Sequence, residues 1–345
     1  MALLPSTLAI DLACIGLRPK DVVLYANGHC NLRCRHCYVG NEMLASKVEF
    51  GAQSIVAAVA GFGTLFRLTL LGGEIFRHSA ANTIFREIDT SSIAVPRVTT
   101  NLTIWNEAAI DAALERKFRF CVSVDGAREE THDRIRGRGT FALTMRHLQR
   151  LRTVTANVEV IHTVNRWNRD QLGELVELCR SMNIPSLNIH LVTPQGNALL
   201  NDDNFTLTAS EWRETLRLVF DDGNLSGTPP VAVRYPLRFA THQEYAQLLV
   251  NGYHHHAVGS YHANNGNRVV IYASGEIFVS SEAFGTDALI GRICGETFVP
   301  NKSRRSELRL AREDEFDISS INTRIHGDAN FPVALSVSFK QTALC

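Results

Sequence analysis

Short apolar runs alternate with longer amphipathic segments from about residue 21 to residue 192. The runs have the length and β-branched content of buried strands, and the longer segments have helical spacing. The predicted strands are Val22–Ala26, Phe66–Leu71, Ala94–Thr99, Arg119–Val124, Val158–Val164 and Leu187–Val192, and the predicted helices are Ser54–Gly61, Ala80–Asp89, Glu107–Lys117, Phe141–Thr153 and Asp170–Met182. Six strands alternating with helices predict an α/β fold with a parallel sheet, either curled into a partial (β/α)6 barrel or open and doubly wound.

The alternation ends after Pro194. A helix is predicted over Ala209–Phe220, and further on the short strands Arg268–Ile271 and Ile277–Val279 flank a turn, which is typical of a hairpin. We therefore place a domain boundary near Asp221. Residues 1–220 are predicted to form the (β/α) core, and residues 221–345 a smaller α+β extension.

The charge balance and the cysteine content exclude several classes of protein. Lys plus Arg and Asp plus Glu number 35 each, so no net charge attracts nucleic acid or a membrane surface. No stretch approaches the roughly 18 uninterrupted apolar residues of a membrane span. The eight cysteines are too few and too unevenly placed for a secreted disulfide scaffold. We expect a cytoplasmic protein without nucleic-acid or membrane partners.

Three cysteines directly follow the first predicted strand with a CxxxCxxC spacing. They are Cys30, Cys34 and Cys37. Thiolates are the usual ligands of iron–sulfur clusters, and three ligands leave one iron of a [4Fe–4S] cluster open, as a catalytic metal requires. A zinc site would need His29 or His36 as its fourth ligand. The remaining alternative is three unrelated buried thiols.

Further short motifs follow the later strands in order. They are Gly72-Gly73-Glu74, Thr100-Asn101, Ser123-Val124-Asp125-Gly126, His132-Asp133-Arg134-Ile135-Arg136-Gly137 and Gly139-Thr140-Phe141. Together with the cysteines, this series resembles the radical S-adenosylmethionine (SAM) superfamily, specifically the branch with a SPASM or twitch type C-terminal extension. That superfamily has an aromatic residue before the third cysteine of its loop, and His36 occupies the position here.

The resemblance implies a set of cofactor contacts. One [4Fe–4S] cluster would be bound by the three cysteines, and the cofactor SAM would complete its open iron. The resemblance implies that Gly72, Gly73 and Glu74 contact the amino group of SAM. Asn101, in the pair Thr100-Asn101 that we call the TN motif, is a further implied contact. Ser123 and Arg136 are implied at the ribose or carboxylate, and Val164 and Leu191 at the adenine. A guanidinium matches a carboxylate bidentately, which suits Arg136. The alternative is a surface Arg136 paired with Asp133.

The extension departs from the family pattern. Residues 266–278 resemble the hairpin of such an extension, but Ser280 and Ser281 stand where a cluster cysteine is expected, and the cysteine expected near Ser260 is also absent. The resemblance therefore predicts an extension without an auxiliary cluster, which favours redox-neutral outcomes such as epimerisation. Cys294 is a candidate hydrogen donor to a substrate radical, the alternative being a small buried side chain.

The implied activity is reductive cleavage of SAM to a 5′-deoxyadenosyl radical, which abstracts hydrogen from a peptide or small natural product. Flavodoxin or ferredoxin would supply the electron. Since only about twenty residues precede the first strand, a peptide substrate is expected to need a separate leader-binding protein. A sugar, nucleoside or aminoglycoside intermediate is the alternative substrate. A non-catalytic iron–sulfur or zinc-binding module is the alternative class of protein.

Overall fold

The chain builds one long sheet with helices packed between successive strands. The computed structural model describes residues 19–193, 195–200, 205–208, 211–212, 214–215, 231–234, 237–241, 268–278, 289–295, 297–301 and 330–334. The strands are β1 Asp21–Tyr25, β2 Leu65–Leu71, β3 Ile93–Thr100, β4 Arg119–Ser123, β5 Val158–Val164, β6 Ser186–Leu191, β7 Ala232–Arg234, β8 Leu237–Thr241, β9 Arg268–Ile271, β10 Glu276–Phe278, β11 Gly291–Cys294, β12 Thr297–Pro300 and β13 Asn330–Ala334. The helices are α1 Asn41–Ala45, α2 Ala52–Gly61, α3 Ala81–Glu87, α4 Glu107–Glu115, α5 Glu129–Arg136, α6 Thr140–Val154, α7 Leu172–Ser181 and α8 Asn197–Leu200, with 3-10 turns at Ile75–Arg77 and Arg169–Gln171.

Strands β1 to β6 lie side by side in chain order, and each pair is parallel. A doubly wound sheet reverses its strand order at one point, whereas a barrel sheet does not. The order within β1–β6 therefore identifies the partial (β/α) barrel, and the predicted α/β fold class is confirmed. No helix in the described part of the chain is long and apolar enough to cross a bilayer.

All six predicted core strands exist, and their ends shift by one residue at most. The prediction missed α5, which contains a single aliphatic residue, Ile135, and so shows no apolar periodicity. This helix ends at Gly137, whose φ of 124° favours glycine. The short helices α1 and α8 were also missed, because four or five residues are too few to establish a helical period.

The core lies between the helices and the sheet. Helix α4 shows how the sequence produces it. Asn106 caps the helix by accepting the N–H of Ala109 at 3.3 Å, and the small residues of the buried face allow close packing on the strands. Large fully buried side chains fill the remaining space; they include Phe85, Phe118, Phe120, Leu24, Ile55, Leu65, Leu68 and Leu70. Each stabilises the fold by about 1.5–3 kcal/mol through burial.

Strands from beyond the predicted boundary extend the same sheet. β9 pairs in parallel with β1, with Val22 opposite Val269, and β10 to β12 continue as antiparallel neighbours. On the other side, β7 pairs with β6. Strands β8 and β13 form a separate two-stranded sheet. The boundary at Asp221 and most of the helix predicted over Ala209–Phe220 lie outside the described residues, so the division into two domains stays a prediction.

Candidate functional site

Apart from Cys294, the residues predicted to form the site lie at the carboxyl ends of parallel strands or in the segments that follow them. That edge is where (β/α) barrels place their active sites, because the loops there are free of the packing that holds the opposite edge. The loop after β1 carries the three cysteines. We call residues 30–37 the cysteine loop.

Neighbouring segments fix the cysteine loop from two directions. The N–H of Arg35 donates to the carbonyl of Ile135 at 2.9 Å, at the end of α5. The side chain of Asn197 donates to the carbonyl of Cys34 at 3.3 Å, at the start of α8. Helices α5 and α8, which the sequence did not predict, therefore hold the backbone of the loop.

The three thiols are unoxidised and lie near one another. Cys34 is buried, whereas Cys30 and Cys37 are half-buried. Burial raises the pKa of Cys34 to about 12 and the pKa values of Cys30 and Cys37 to about 11. The negative charge of each neighbouring thiolate would add to these shifts. Thiolate ligands at this site would therefore need a bound cation to stabilise their charge.

The donor set fits an iron–sulfur cluster better than a single zinc ion. In the described residues, no three His, Cys, Asp or Glu side chains converge on one metal position. The cysteines of a [4Fe–4S] cluster each bind a different iron, so they need no common point. Nε2 of His36 faces Asp125 at 3.0 Å and Nε2 of His29 contacts the carbonyl of Arg77 at 3.2 Å, and in the described residues neither imidazole joins the thiols at a common metal position.

Gly72 and Gly73 allow the loop after β2 to pack on the segment that leads into the cysteine loop. A Cβ atom on Gly72 would lie 1.8 Å from Oδ1 of Asn27, and one on Gly73 would lie 2.3 Å from the carbonyl oxygen of His29. Both glycines therefore allow a close approach to the protein's own residues Asn27 and His29. Contact of these glycines with SAM stays a prediction.

Glu74 ties the end of β2 to the end of β3. Its Oε1 accepts from the Thr100 hydroxyl at 2.8 Å and from the Phe76 N–H at 3.2 Å, and its Oε2 accepts from the Asn101 N–H at 2.8 Å. Burial raises the pKa of Glu74, although these three donors oppose the rise. With three donors already bound, this carboxylate mainly fixes the backbone of the TN motif.

Asn101 connects β3 to the cysteine loop. Its Nδ2 donates to Oδ1 of Asn31 at 3.1 Å and lies 3.8 Å from Sγ of Cys30. Its Oδ1 accepts from the hydroxyl of Thr103 at 2.6 Å, and the side chain of Asn31 donates to that same hydroxyl at 2.8 Å. The closed triangle of polar groups orients an N–H of Asn101 toward Sγ of Cys30, which is predicted to be a cluster ligand.

Arg136 is a buried residue that faces the cysteine loop. Its Nε donates to Oδ2 of Asp125, and its Nη1 lies 3.9 Å from Sγ of Cys34. The alternative of a surface pair with Asp133 is wrong. Asp133 instead caps α6, accepting the N–H of Phe141 at 2.8 Å. Contact of Arg136 with SAM stays a prediction.

Asp125 is the site residue that sequence reasoning missed. It is 0% exposed and touches His36 and Arg136 through Oδ2, while Oδ1 accepts the N–H of Thr163 at 2.8 Å. Burial alone would raise the pKa of Asp125, but Arg136 and His36 outweigh burial and hold it well below its usual value. The available signal was a carboxylate directly after β4, eleven positions before Arg136.

Ser123, Val164 and Leu191 lie where the sequence placed them. Ser123 is the buried last residue of β4. Val164 and Leu191 end β5 and β6 and are register partners across the two strands. The two apolar side chains thus stand together at the C-terminal edge, and their contact with adenine stays a prediction.

Cys294 ends β11, three strands away from β1. Its side chain is exposed, so the alternative of a small buried side chain is wrong. At about 4.8 Å for each strand spacing, it lies about 14 Å along the sheet from β1. Its role as a hydrogen donor stays a prediction. Ser260, Ser280 and Ser281 lie outside the described residues.

Residues 25–179 match the family model described as the Radical SAM superfamily. This segment, a little under half of the chain, includes the three cysteines and the strand ends described above. The match implies a [4Fe–4S] cluster and SAM as cofactors.

Several characterised proteins share this domain. The AdoMet-dependent heme synthase of Oleidesulfovibrio alaskensis is 24% identical over 195 residues, which are 56% of this chain and 50% of that protein. The antilisterial bacteriocin subtilosin biosynthesis protein AlbA of Bacillus subtilis is 28% identical over 186 residues, which are 52% of this chain and 40% of that protein. The chain thus matches at most about half the length of these curated relatives.

Two solved structures share the fold. Streptococcus suis SuiB bound to its precursor peptide SuiA superposes with a TM-score of 0.64 and 14% identity, over 80% of this chain and 63% of that one. Native anSMEcpe with bound AdoMet superposes with a TM-score of 0.59 and 16% identity, over 88% of this chain and 84% of that one.

Proposed function

We propose that this chain cleaves SAM reductively and abstracts a hydrogen atom from a peptide substrate. The observation that carries the proposal is the set of three free thiols at the barrel edge, enclosed by the Glu74, Asn101 and Asp125 networks. When bound, the cluster and SAM supply one-electron reduction of a sulfonium and a primary carbon radical. The protein supplies position and a site shielded from water.

The residues of this chain have distinct tasks in that chemistry. Cys30, Cys34 and Cys37 would bind three irons. Arg136 presents a guanidinium beside Cys34, where it can stabilise thiolate charge and meet a carboxylate at the open position. Asn101 donates toward the sulfur of Cys30. We expect these donors to set the reduction potential of the cluster and to orient SAM, and we expect no proton transfer from them.

The apolar end of the site would receive the adenine. Val164 and Leu191 are register partners at the ends of β5 and β6, and Val164 is fully buried. An aromatic base gains from such apolar contact. Ser123, at the end of β4 beside β5, is the proposed contact of the ribose. In this proposal the charged half of SAM would lie by the cysteine loop and its apolar half toward β6.

A peptide substrate is favoured by the relatives. AlbA is named for bacteriocin biosynthesis, and SuiB has been solved with a precursor peptide. A separate leader-binding protein and a flavodoxin or ferredoxin electron donor complete the proposed system. A porphyrin is the second candidate substrate, because three of the relatives are named heme synthases.

The outcome for the substrate is proposed to be redox-neutral, with epimerisation as the leading case. It rests on the sequence, in which Ser280 and Ser281 stand where an auxiliary-cluster cysteine is expected. Cys294 is the candidate hydrogen donor, and the thiyl radical left on it would return to the thiol by taking up a proton and one electron from the same flavodoxin or ferredoxin donor. Epimerisation in D₂O leaves the peptide with a solvent-derived deuterium at carbon, whereas an oxidation lowers its mass.

The experiment that tests substrate class uses the reconstituted full chain under anaerobic conditions. Dithionite and SAM are incubated in D₂O with any short peptide encoded beside the gene, and with an iron porphyrin in parallel. The proposal predicts peptide-dependent 5′-deoxyadenosine and a deuterated peptide of otherwise unchanged composition. If only the porphyrin were converted, the substrate class would be a porphyrin and not a peptide. A peptide that loses mass would exclude epimerisation.

A further inference from the structure

The strand β6 has two different faces. Leu187 and Ile189 are completely buried in the hydrophobic core, on the side of the sheet that α7 covers. Because side chains alternate along a strand, Asn188 and His190 point to the opposite side, the inner face of the barrel. Both are only half-buried, although β6 has a neighbouring strand on each side. The inner face of the barrel is therefore open beside these two side chains.

Asn188 and His190 contact each other and leave two polar atoms open. Nδ2 of Asn188 lies 3.1 Å from Nε2 of His190, so that the amide donates and the imidazole accepts. A neutral imidazole that accepts at Nε2 carries its proton on Nδ1. Among the described residues, neither Nδ1 of His190 nor Oδ1 of Asn188 has a hydrogen-bond partner. The pair thus presents one free donor and one free acceptor on the same face.

This combination of one donor and one acceptor does not depend on how the amide of Asn188 is oriented. With its oxygen and nitrogen exchanged, Nε2 of His190 would donate to Oδ1, and the open atoms would be Nδ2 as donor and Nδ1 as acceptor. The combination does require a neutral imidazole. Burial, and after it the positive charge of Arg97, lower the pKa of His190 to about 4, although Glu159 and Asp125 oppose the shift. The ring is therefore neutral at physiological pH.

The surroundings of the pair suit an uncharged ligand. Thr163, the register partner of His190 on β5, is half-buried, and its hydroxyl has no partner in the described part of the chain. The charged groups with the largest effect on the pKa of His190 are held in ion pairs, namely Arg97 with Glu159, Asp125 with Arg136 and Arg268 with Asp21. An amide has an N–H donor, a carbonyl acceptor and no charge, whereas a carboxylate only accepts. The pair therefore fits an amide better than a carboxylate.

The pair lies on the same face of the sheet as Ser123. Ser123 at the end of β4 is opposite Ile161 of β5, which is in turn opposite Asn188. Two strand spacings therefore separate Ser123 from Asn188, a distance of about 10 Å. His190 lies further toward the carboxyl ends of the strands, the edge that carries the cysteine loop. An amide bound to the pair would thus lie beside the proposed ribose contact of SAM.

We propose that Asn188 and His190 bind an amide group of the substrate, either a backbone peptide bond or the carboxamide of an asparagine or glutamine side chain. The inference rests on the proposed function and deepens it, because it names residues that recognise a peptide and position it beside SAM. One amide can engage both open atoms at once, since its carbonyl accepts from the donor and its N–H donates to the acceptor. The two side chains thereby determine which substrate binds and how it is oriented.

The test uses four small probes that differ in one group. Propionamide carries a carboxamide, N-methylpropionamide a peptide-type amide, methyl propionate an ester that accepts without donating, and propionate a carboxylate. Saturation-transfer NMR detects the binding of each probe to the reconstituted full chain under anaerobic conditions, and titration gives its dissociation constant.

Asn188→Leu and His190→Leu are compared with the wild type, and Thr69→Val is the matched control. Thr69 is also half-buried on the inner face, but it lies on β2, four strands from β6. Circular dichroism and iron content report whether each variant folds as the wild type does. The comparison of the four probes on the wild type needs no variant.

The proposal predicts that an amide binds the wild type and that the ester and the carboxylate bind at least ~10-fold more weakly, because each leaves one polar atom of the pair without a partner. Asn188→Leu and His190→Leu should each weaken amide binding about 10-fold, whereas Thr69→Val should not change it. His190→Gln should restore the binding that His190→Leu loses, because glutamine again offers a donor and an acceptor.

The two amides distinguish the two sources of the group. Binding of propionamide alone would assign an asparagine or glutamine side chain, and binding of N-methylpropionamide would assign a peptide bond. Failure of both amides to bind the wild type, equal binding of amides and ester, or equal amide binding in the wild type and both leucine variants would overturn the proposal. If the wild type formed no 5′-deoxyadenosine with dithionite, the proposed function would fail, and the probe titrations would still decide whether the pair binds an amide.

Discussion

Nε2 of His36 lies 3.0 Å from Oδ2 of Asp125, and this contact joins the cysteine loop to the end of β4. The same carboxylate binds Arg136 and the backbone of β5. One buried aspartate therefore positions the loop that carries the cysteines, the guanidinium beside Cys34 and the next strand of the barrel. We expect the apo-protein and the cluster-loaded protein both to depend on it.

Asp125→Asn should destabilise the cluster-free protein by about 3 kcal/mol, because it leaves Arg136 as a buried charge without its counterion. Urea unfolding followed by circular dichroism measures the change. The matched control is Arg128→Gln, which breaks a solvent-exposed pair with Glu174 and should leave the free energy of unfolding nearly unchanged. Equal costs for the two variants would contradict the central role given to Asp125.

Gly73→Ala should destabilise the protein by about 1–3 kcal/mol and reduce its iron content. The added methyl group would meet the backbone of His29, which cannot move without shifting the start of the cysteine loop. Thermal unfolding and iron analysis test this. Gly51→Ala is the control, since the nearest atom to its new methyl group is 3.7 Å away. An unchanged iron content in Gly73→Ala would show that the loop tolerates the shift.

Tyr272→Ala should loosen the cysteine loop from the side of the extension. Tyr272 is buried and stacks on Tyr25 at 4.6 Å, in an apolar cluster against which Cys37 packs. Its removal should cost about 3 kcal/mol or more and shorten the lifetime of the reconstituted cluster in the presence of a chelator. Tyr272→Phe keeps the stacked ring and should retain the cluster. The two variants losing iron at the same rate would argue against packing as the cause.

The stability of the apo-protein should fall as the pH falls from about 6.5 to about 4, in part through His132. Burial and Arg136 lower the pKa of His132 to about 4, although Asp125 and Asp133 oppose the shift, and His162 adds to it. The unfolded chain takes up this proton near pH 6.5, whereas the folded chain takes it up only near pH 4. The contribution of neutral His132 to the free energy of unfolding is therefore fully present above pH 6.5 and is lost progressively between pH 6.5 and pH 4.

The size of that loss is about 1 kcal/mol per pH unit for one histidine. Urea unfolding at pH 7.5, 6.0 and 5.0 measures it, and His132→Gln should flatten the slope by that amount. In the wild type, Nδ1 of His132 accepts the N–H of Asp125 at 3.2 Å. Glutamine offers an acceptor without the titration. An unchanged slope in His132→Gln would contradict the prediction.

Much of the fold was predictable because parallel strands that are buried on both faces appear in the sequence as short apolar runs rich in β-branched residues. β5 was predicted with its actual ends, Val158 and Val164. Helix α5 was not predicted, because its sequence is almost wholly polar and its stability comes from packing against α6 and the cysteine loop. The choice between barrel and open sheet needed the strand order, which periodicity does not encode.

The site was predictable where chemistry is tied to spacing and not where it depends on burial. The three cysteines could be singled out from their spacing, and the structure places them together in the loop after β1. For Arg136 the sequence allowed two interpretations, a contact with SAM or a surface ion pair with Asp133. Only the folded chain reveals that Asp133 instead caps α6. Asp125 was overlooked for the same reason, because its importance lies in being completely enclosed.

The most direct test of the central claim is anaerobic reconstitution with iron and sulfide, followed by metal analysis and a dithionite-plus-SAM assay for 5′-deoxyadenosine. The account predicts about four irons per chain and steady formation of 5′-deoxyadenosine. Cys34→Ala should lose both, while Cys179→Ala, which removes a buried thiol on α7, should retain both. Zinc in place of iron, or an iron-loaded wild type that leaves SAM intact, would contradict the account.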